Sequence, residues 1–249
     1  MQEGIHAMRF IKQIGLAFAT LVAAAPSACA GDAAILNILG FSHDGGIFAF
    51  EEYGIQDGSG FPYANRFYID TATDKFLPGT PVRVRIDDEN AALSTVRDKA
   101  RDQGEKIVKQ SELEGNRGYT AGFNPVTQLN GDPYRMAVNP RPVFPAIDDE
   151  LEFRLVEFPR EGPEVCQALG ETMGFRLLRI GTRDGAQTRL LHEDETLPQS
   201  RNCPIGYRIG GIQTFYGQGA QPVYAVLIAV RSIGFEGPDH RWMAVTGKL

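Results

Sequence analysis

Most of the chain beyond residue 30 shows the two-residue alternation of apolar and polar positions that is typical of β-strands. In PVRVRI, Pro81 to Ile86, apolar residues take every second position, and Arg83 and Arg85 lie between them. The segment LEFRL, Leu151 to Leu155, repeats the pattern. Because successive side chains of a strand point to opposite faces, both segments predict strands with one buried face and one face in water.

Two further segments predict a hairpin and a fully buried strand. GFRLLRIGTRDGAQTRLLHED, Gly174 to Asp194, consists of two such runs around Asp184-Gly185, a dipeptide favoured in tight hairpin turns. PVYAVLIAVRS, Pro222 to Ser232, is almost continuously apolar and rich in β-branched residues. Since a strand covered on both faces needs no polar side, this segment predicts a strand between two layers.

One segment, Asp87 to Leu113, has the period of an amphipathic helix instead. Its apolar residues share one helical stripe: Leu93, Val96, Ala100 and Ile107. Asp87 or Asp88 is the predicted N-cap, because a short acidic side chain can accept hydrogen bonds from the free backbone N–H groups of the first turn. Gly104 disfavours a continuous helix, so we expect a break at that position.

The predicted fold is mainly β: a single antiparallel β domain, propeller-like or sandwich-like, with one inserted α-helix. Residues 115–147 contain five prolines and predict surface loops with short edge strands. The segments Phe48 to Thr71 and Tyr224 to Thr246 share a form, in which an apolar strand, a loop with Gly-Phe and Pro, and an aromatic strand follow one another. We expect these two hairpins to lie side by side in one sheet.

The first 30 residues have a different pattern, which predicts export. Arg9 and Lys12 precede an apolar run over residues 14–25, and Ala28-Cys29-Ala30 ends the segment. A basic start, an apolar run and a small-x-small site make up a secretory signal peptide, and the run is shorter than the ~20 residues that span a bilayer. We predict cleavage after Ala30. Attachment of a lipid at Cys29 is the alternative.

The remaining residues, 31–249, are predicted to be one β-rich domain that is periplasmic or secreted. The net charge of the chain is −6, and it becomes −7 without residues 1–30, which carry one acidic and two basic residues. Nucleic acids and anionic membranes are bound through clusters of Lys and Arg, which the sequence does not contain, so we predict neither as a partner. No second apolar run is long enough to span a membrane.

Cys166 and Cys203 are the two cysteines outside the predicted signal peptide. In an exported chain such a pair most simply forms one disulfide bond. Two free thiols are the alternative. No C-x-x-C motif and no neighbouring histidine marks either residue as a catalytic cysteine.

Two resemblances bear on the family of the chain. FSHDGGIFAFEEYGIQDGSGFPY, CPIGYRI and PVYAVLIAVRSIGFEGPDHRW are similar to segments of a family of bacterial predicted secreted proteins without an assigned function. That resemblance implies export and a shared fold, and no chemistry. The segment Phe41 to Asp70 also resembles one repeat of the propeller in the periplasmic Tol translocation protein, through Ser42, Asp44, Gly45, Tyr68 and Asp70. A single repeat implies a propeller-like hairpin, since a propeller needs four or more blades.

Motifs of metal and cofactor chemistry are not found in the sequence. The histidines after residue 30 stand alone, without H-x-x-x-H spacing: His43, His192 and His240. We therefore predict no metal and no cofactor. The sequence also contains no nucleophile elbow, phosphate-binding loop or calcium loop.

Acidic residues leave one enzymatic alternative. Glu51 and Glu52 are adjacent on a predicted strand, so they should point to opposite faces and cannot enter one cleft together. A hydrolase acting on an envelope glycan or peptide would need a pair drawn from both hairpins. That pair would be Glu52 or Asp57 with Glu236 or Asp239.

Two predicted loops, Tyr53 to Arg66 and Ser232 to Trp242, favour a binding function. Their candidate ligand-binding residues are Tyr53, Asp57, Phe61, Tyr63, Arg66, Phe235, Glu236, Asp239, His240 and Trp242. Aromatic faces beside a few polar groups suit sugars and peptides. We predict a non-catalytic binding or interaction protein, with an unknown envelope glycan, peptide or protein as its partner. The alternative is that these aromatic residues form a local core.

Overall fold

The strands of residues 31–249, the part of the chain that the structure describes, form three antiparallel sheets in a computed structural model. The N-terminal sheet contains β1 Ile35–Phe41, β2 Ile47–Ile55, β3 Pro62–Asp70, β4 Lys75–Phe76 and β5 Val82–Arg85. The central sheet contains β6 Tyr119–Phe123, β11 Pro204–Phe215, β12 Val223–Ser232 and β13 Asp239–Lys248. The outer sheet contains β7 Arg135–Val138, β8 Leu151–Pro159, β9 Met173–Ile180 and β10 Arg189–Glu193. This mainly β, antiparallel fold confirms the predicted class.

Strand β12 shows how the three sheets are stacked, because both of its faces are buried. Val223, Ala225, Leu227 and Ala229 pack against the N-terminal sheet. The alternate residues pack against the outer sheet: Tyr224, Val226, Ile228 and Val230. The central sheet therefore lies between the other two, and the strand that PVYAVLIAVRS predicts between two layers is confirmed.

Two short helices cover the free face of the N-terminal sheet. They are α1, Leu93–Gly104, and α2, Gln110–Gly115. Val96 and Ala100 of α1 are fully buried and belong to the same apolar cluster as Ala49 and Ala64 of the sheet. The predicted stripe is thus confirmed for Leu93, Val96 and Ala100, and so is the break at Gly104, whereas Ile107 lies in the turn that follows the helix.

The predicted N-cap of the helix is wrong. The N-cap residue is Ala92, which has no side-chain capping bond. Asp87 pairs with Arg85 at 2.7 Å, and the carboxylate of Asp88 accepts the backbone N–H of Asn90 at 2.9 Å. Both acids therefore shape the turn that precedes the helix, and neither reaches its first turn.

The prediction that the terminal hairpins share a sheet is also wrong. Strands β2 and β3 belong to the N-terminal sheet, whereas β12 and β13 belong to the central sheet. Phe48, Phe50 and Phe67 face the alternate residues of β12 across the layer interface. The two hairpins pack face to face because this arrangement covers their aromatic residues, which edge-to-edge pairing would leave in water.

The propeller-like repeat is not confirmed. Ser42 and Asp44 close an ordinary turn between β1 and β2, in which Asp44 accepts the Ser42 hydroxyl at 2.6 Å and the backbone N–H of Gly46 at 2.9 Å. The sheets are stacked in layers, with helices over the outermost face of the N-terminal sheet. The chain thus follows the sandwich-like layout.

Several local predictions agree with the structure. Strands β9 and β10 pair on either side of the Asp184-Gly185 turn, where Gly185 has a φ of +78°. Strands β6 and β7, within the proline-rich stretch, are short edge strands. A disulfide joins Cys166, in the helix α3 Glu164–Gln167, to Cys203.

Residues 31–249 form one compact unit. The predicted signal peptide lies outside the described residues. Within those residues, none of the helices is long and apolar enough to cross a membrane.

Candidate functional site

The two predicted binding loops are shorter than the sequence suggested. Strands β2 and β3 stay paired as far as Ile55 and Pro62, which leaves a turn over residues 56–61. Strands β12 and β13 pair as far as Ser232 and Asp239, which leaves residues 233–238. Tyr53, Tyr63 and Arg66, like His240 and Trp242, are therefore strand residues, and the predicted loop bounds are wrong.

The tips of the two hairpins contact each other. The carboxylate of Asp57 accepts the backbone N–H of Glu236 at 2.8 Å. Phe235 is 80% exposed, and its ring lies over Gly58, where an added Cβ atom would be 3.0 Å from it. Asp57, Phe235 and Glu236 thus join the N-terminal and central sheets at one end of the interface.

Tyr63 and Trp242 are buried between the two sheets. The Tyr63 hydroxyl donates to Asp32 at 3.2 Å, and the Arg241 guanidinium lies 4.8 Å from the centre of its ring. The indole N–H of Trp242 donates to the carbonyl of Ala34 at 2.9 Å. These side chains therefore serve as a local core, which was the alternative interpretation of the aromatic residues.

The position of Trp242 depends on a glycine across the central sheet. Gly210 lies directly against the indole, since an added Cβ atom would be 2.3 Å from the ring. Only a residue without a side chain allows the ring to lie this close to β11. The sequence contained the signal, a Gly-Gly pair within an apolar strand, which is typical of close backbone approach.

Tyr53 and Arg66 point to the opposite face of the N-terminal sheet, toward the helices. Arg97 of α1 lies 3.9 Å from the centre of the Tyr53 ring. Arg66 is 3.5 Å from the carboxylate of Glu51, which Arg97 also contacts at 2.8 Å. These candidates are thus separated from the others by the thickness of the sheet.

The segment Asp32 to Ala34 lies along β13 and fixes the side chains around it. The backbone N–H of His240 donates to the carbonyl of Asp32 at 2.8 Å. The Asp32 carboxylate lies 2.6 Å from the Arg241 guanidinium, and the Asp239 carboxylate accepts the Asp32 N–H at 2.9 Å. Burial raises the pKa of Asp32, although Arg241 opposes this shift. Asp239 and His240 therefore hold this segment in place.

A cleft of about 720 Å³ opens beside β13, the edge strand of the central sheet, between the N-terminal sheet and the segment Pro198 to Asn202, and we call it the interlayer cleft. Its floor on the N-terminal sheet is a cross-strand row of Glu52, Asn65 and Arg83, which are register neighbours on β2, β3 and β5. Arg85 and Tyr63 form the adjacent row. The opposite wall comes from β12 and β13 and from a loop that includes a 3₁₀ turn: Val230, Arg241, Trp242, Met243 and the segment Pro198 to Asn202.

Three of the four cleft arginines lie outside the two predicted binding loops: Arg83, Arg85 and Arg201. Arg83 and Arg85 were predicted to be in water, and the structure confirms that they are exposed, at positions that line the cleft. Alternation on β5 could have placed them together, since residues two apart share a face. Nothing in the sequence brings the distant Arg201 to this site, because its place depends on how the outer sheet packs.

Glu52 is the deepest polar group of the interlayer cleft and is 3% exposed. Its carboxylate accepts the backbone N–H of Trp242 at 2.7 Å and the side-chain amide of Asn65 at 2.9 Å. Burial raises the pKa of this carboxyl and outweighs the opposing effect of both hydrogen bonds. Glu51 faces the helices instead, so the predicted opposite orientation of the two glutamates is confirmed.

We expect the Glu52→Gln variant to change how stability depends on pH. A carboxyl whose pKa is raised on folding stabilises the fold below its ordinary value of 4.5, and this contribution is lost as the pH rises through the folded pKa. The free energy of unfolding of the wild type, minus that of the variant, should therefore fall as the pH rises above 4.5. Urea titrations at several pH values measure this difference.

Asp194 provides a contrast for that experiment. Burial raises its pKa, but hydrogen bonds from His192 and Arg201 outweigh burial and lower the pKa overall. Its contribution is present above the ordinary pKa of 3.8 and lost below it, so the difference for Asp194→Asn should have the opposite sign of slope. A flat difference for Glu52→Gln, in a variant with a wild-type circular dichroism spectrum, would contradict our assignment.

The carboxyl pairs proposed for a hydrolase do not converge in the interlayer cleft. Among the described residues that line it, Glu52 is the single acid. Asp57 contacts Glu236 at the hairpin tips, and Asp239 contacts Asp32. In residues 31–249, no group of three His, Cys, Asp or Glu side chains has a metal-binding arrangement.

Comparison with known proteins places the chain in a family. The family model described as "Predicted secreted protein (DUF2259)" matches residues 49–248, a span that includes all of the cleft lining and all but the first two residues of the two hairpins. No curated protein and no solved structure gives a significant match. The resemblance to predicted secreted proteins is thereby confirmed. Because the match covers most of its length, the chain belongs to this family of predicted secreted proteins, whose function is unknown.

Proposed function

We propose that this protein is a secreted binding protein without catalysis of its own, and that its ligand binds in the interlayer cleft. The observation that carries this proposal is the cleft itself, which has a volume of about 720 Å³. Small-molecule sites commonly enclose about 300 to 1,000 Å³, so the cleft has room for a compact ligand such as a sugar or a short peptide. Export with cleavage after Ala30 is part of the proposal, and membership of a secreted family supports it.

Polar side chains, rather than aromatic faces, are the proposed ligand contacts. The rings of Tyr63 and Trp242 are covered by protein and are 4% and 7% exposed. The accessible lining instead offers amide and hydroxyl groups: Gln56, Asn65, Gln199, Ser200 and Asn202. Groups that both donate and accept hydrogen bonds suit the hydroxyl groups of a sugar or the amides of a peptide.

The hydrolase alternative has less support. Two-carboxylate hydrolysis requires a second acid about 5 to 10 Å from the first. Glu52 is the single acid among the described cleft residues, and both of its oxygens already accept hydrogen bonds from Trp242 and Asn65. These bonds suit a carboxylate that joins two sheets better than one that reacts.

The proposal can be tested with a variant that fills the cleft. Ser200 is exposed and lines the cleft, so Ser200→Trp should place an indole at its mouth. We expect soluble cell-wall sugars or peptides to shift the amide NMR signals of cleft residues in the wild type. Ser200→Trp should weaken that binding tenfold or more. The matched control is Ser111→Trp, which adds the same ring at an exposed position of helix α2, away from the cleft.

The same samples separate the competing functions. Undiminished binding in Ser200→Trp would show that the ligand site lies elsewhere. Mass spectrometry of the same mixtures detects turnover. Products that form with the wild type and disappear with a folded Glu52→Gln variant would establish the hydrolase instead.

A further inference from the structure

The interlayer cleft has a charge opposite to that of the whole protein. The net charge of the chain is −6, whereas the cleft lining contains four arginines and one acid, Glu52. The four arginines come from three parts of the fold: Arg83, Arg85, Arg201 and Arg241. A concentration of guanidinium groups in a concave site attracts anions, because the low-dielectric walls focus the field into the cleft.

Two of these arginines form salt bridges with buried acidic residues. Arg241 lies 2.6 Å from the carboxylate of Asp32, which is itself 4% exposed. Arg201 lies 2.6 Å from Asp194, whose side chain is 2% exposed. These pairs shape the cleft wall, and their guanidinium charges are largely neutralised within the protein.

Arg83 and Arg85, by contrast, have no buried acidic partner among the described residues. Arg85 pairs with Asp87, but both side chains are at least half exposed, and such surface pairs are weak because water screens them. Among the described residues, Arg83 has no hydrogen-bond partner for its guanidinium and no acid within ion-pair distance. Since the two residues are separated by one position on β5, both side chains leave the same face of the strand.

The order of groups across the sheet sets the position of an anion. Arg83, Asn65 and Glu52 are register neighbours, so the row passes from a guanidinium at the mouth, through an amide, to the buried carboxyl. An anionic group would be attracted near Arg83 and Arg85, whereas Glu52, whose oxygens already accept hydrogen bonds from Trp242 and Asn65, offers it no donor. The remaining hydroxyl groups of a ligand would face the amide of Asn65.

We infer that the ligand is a compact hydroxylated molecule bearing a carboxylate or phosphate, and that Arg83 and Arg85 bind this oxyanion at the cleft mouth. The inference rests on the proposed function, since it names the ligand class of the same site. Guanidinium groups bind carboxylate and phosphate through paired hydrogen bonds, and such charge-assisted bonds are stronger than neutral ones.

Matched pairs of sugars test the inference at constant ionic strength. Galacturonate is compared with galactose, and glucose 6-phosphate with glucose, by titration of the amide NMR spectrum. We expect at least one anionic sugar to shift the signals of β3 and β5 at concentrations where its neutral counterpart does not. A carboxylate and a phosphate differ in charge and shape, so the two pairs also show which oxyanion is preferred.

Arginine variants test whether Arg83 contributes to binding of the anionic sugar. Arg83→Gln should weaken binding of the anionic sugar about tenfold or more, because the variant loses charge-assisted hydrogen bonds, which are stronger than neutral ones. Arg83→Lys should restore part of the affinity, since it keeps the charge but not the paired geometry. Arg117→Gln is the matched control. It removes the same charge from an exposed position outside the cleft.

Each outcome decides between the inference and the proposed function. If neutral and anionic sugars shift the cleft signals equally, the oxyanion inference fails while the binding function stands. If Arg83→Gln and Arg117→Gln weaken binding equally, the effect is one of net charge and the inference also fails. If no sugar of either kind shifts the cleft signals, the inference fails. These four sugars then also provide no evidence for the proposed binding function.

Discussion

Replacing Glu51 with glutamine is expected to lower the free energy of unfolding by about 3 to 5 kcal/mol, the range for removing one partner of a buried ion pair. Glu51 is fully buried beneath the helices, and Arg66, 3.5 Å away, is 4% exposed. The glutamine would leave the Arg66 guanidinium in a site with little water and no compensating charge. Equilibrium unfolding in urea, followed by circular dichroism, measures the loss.

The position of Glu51 explains why the effect should extend beyond one contact. Its carboxylate accepts hydrogen bonds from Arg97 of α1 at 2.8 Å and from Asn37 of β1 at 3.1 Å. Arg66 in turn donates to Gln110 of α2 at 2.9 Å. This cluster therefore connects both helices to the N-terminal sheet, and the variant should also loosen the packing of the helices.

Two further variants show whether the loss comes from the buried charge. Asp98→Asn removes an exposed pair with Arg101 and should change the free energy of unfolding by no more than about 1 kcal/mol. The double variant Glu51→Met and Arg66→Met removes both buried charges, and it should be more stable than Glu51→Gln alone. A double variant less stable than the single one would contradict this explanation.

Local patterns predicted the elements of the fold well, because each pattern depends on a few neighbouring residues. The alternation in Pro81 to Ile86 gave a strand, and the apolar run of Pro222 to Ser232 gave a strand covered on both faces. Gly104 marked the end of α1, where an added Cβ atom would be 2.0 Å from the Tyr68 hydroxyl. These features follow from periodicity and backbone sterics.

The arrangement of the sheets could not be predicted in the same way. Face-to-face and edge-to-edge packing of two hairpins require the same alternation of apolar residues, so the sequence pattern does not distinguish them. The error carried over to the site. Tyr63 and Trp242 were predicted to be loop residues open to a ligand, whereas stacking of the two sheets buries both.

The site itself was predicted only in part, for a related physical reason. Glu52, considered for the hydrolase, lies in the interlayer cleft, and Tyr63 and Trp242 contribute to its walls. The arginine that closes one side, Arg201, belongs to a loop between the outer and central sheets. Contacts between distant segments of the chain determine where such a residue lies. The hydrophobic pattern of the residues next to it in sequence therefore does not predict its position.

Removal of the disulfide is expected to lower the free energy of unfolding by about 4 kcal/mol, the chain-entropy value for the 37-residue separation of Cys166 and Cys203. Cross-linking restricts the unfolded chain over this loop, which contains β9 and β10. We propose the variant Cys166→Ala with Cys203→Ala, because both residues are buried and alanine adds no polar group. Intact-mass measurement of the exported protein should first show the wild type two hydrogens lighter than its reduced form.

The reduced wild type distinguishes the effect of the cross-link on stability from the effect of the cysteine side chains. Reduction breaks the bond without removing either sulfur, so urea unfolding of reduced wild type and of the double alanine variant should give nearly the same loss. Reductant should leave the variant unchanged. Cys203 follows Asn202, which lines the interlayer cleft, so the bond also fixes one end of that wall. A loss below about 1 kcal/mol would mean that the unfolded chain is already compact over residues 166–203, since only a pre-ordered loop gains so little from closure.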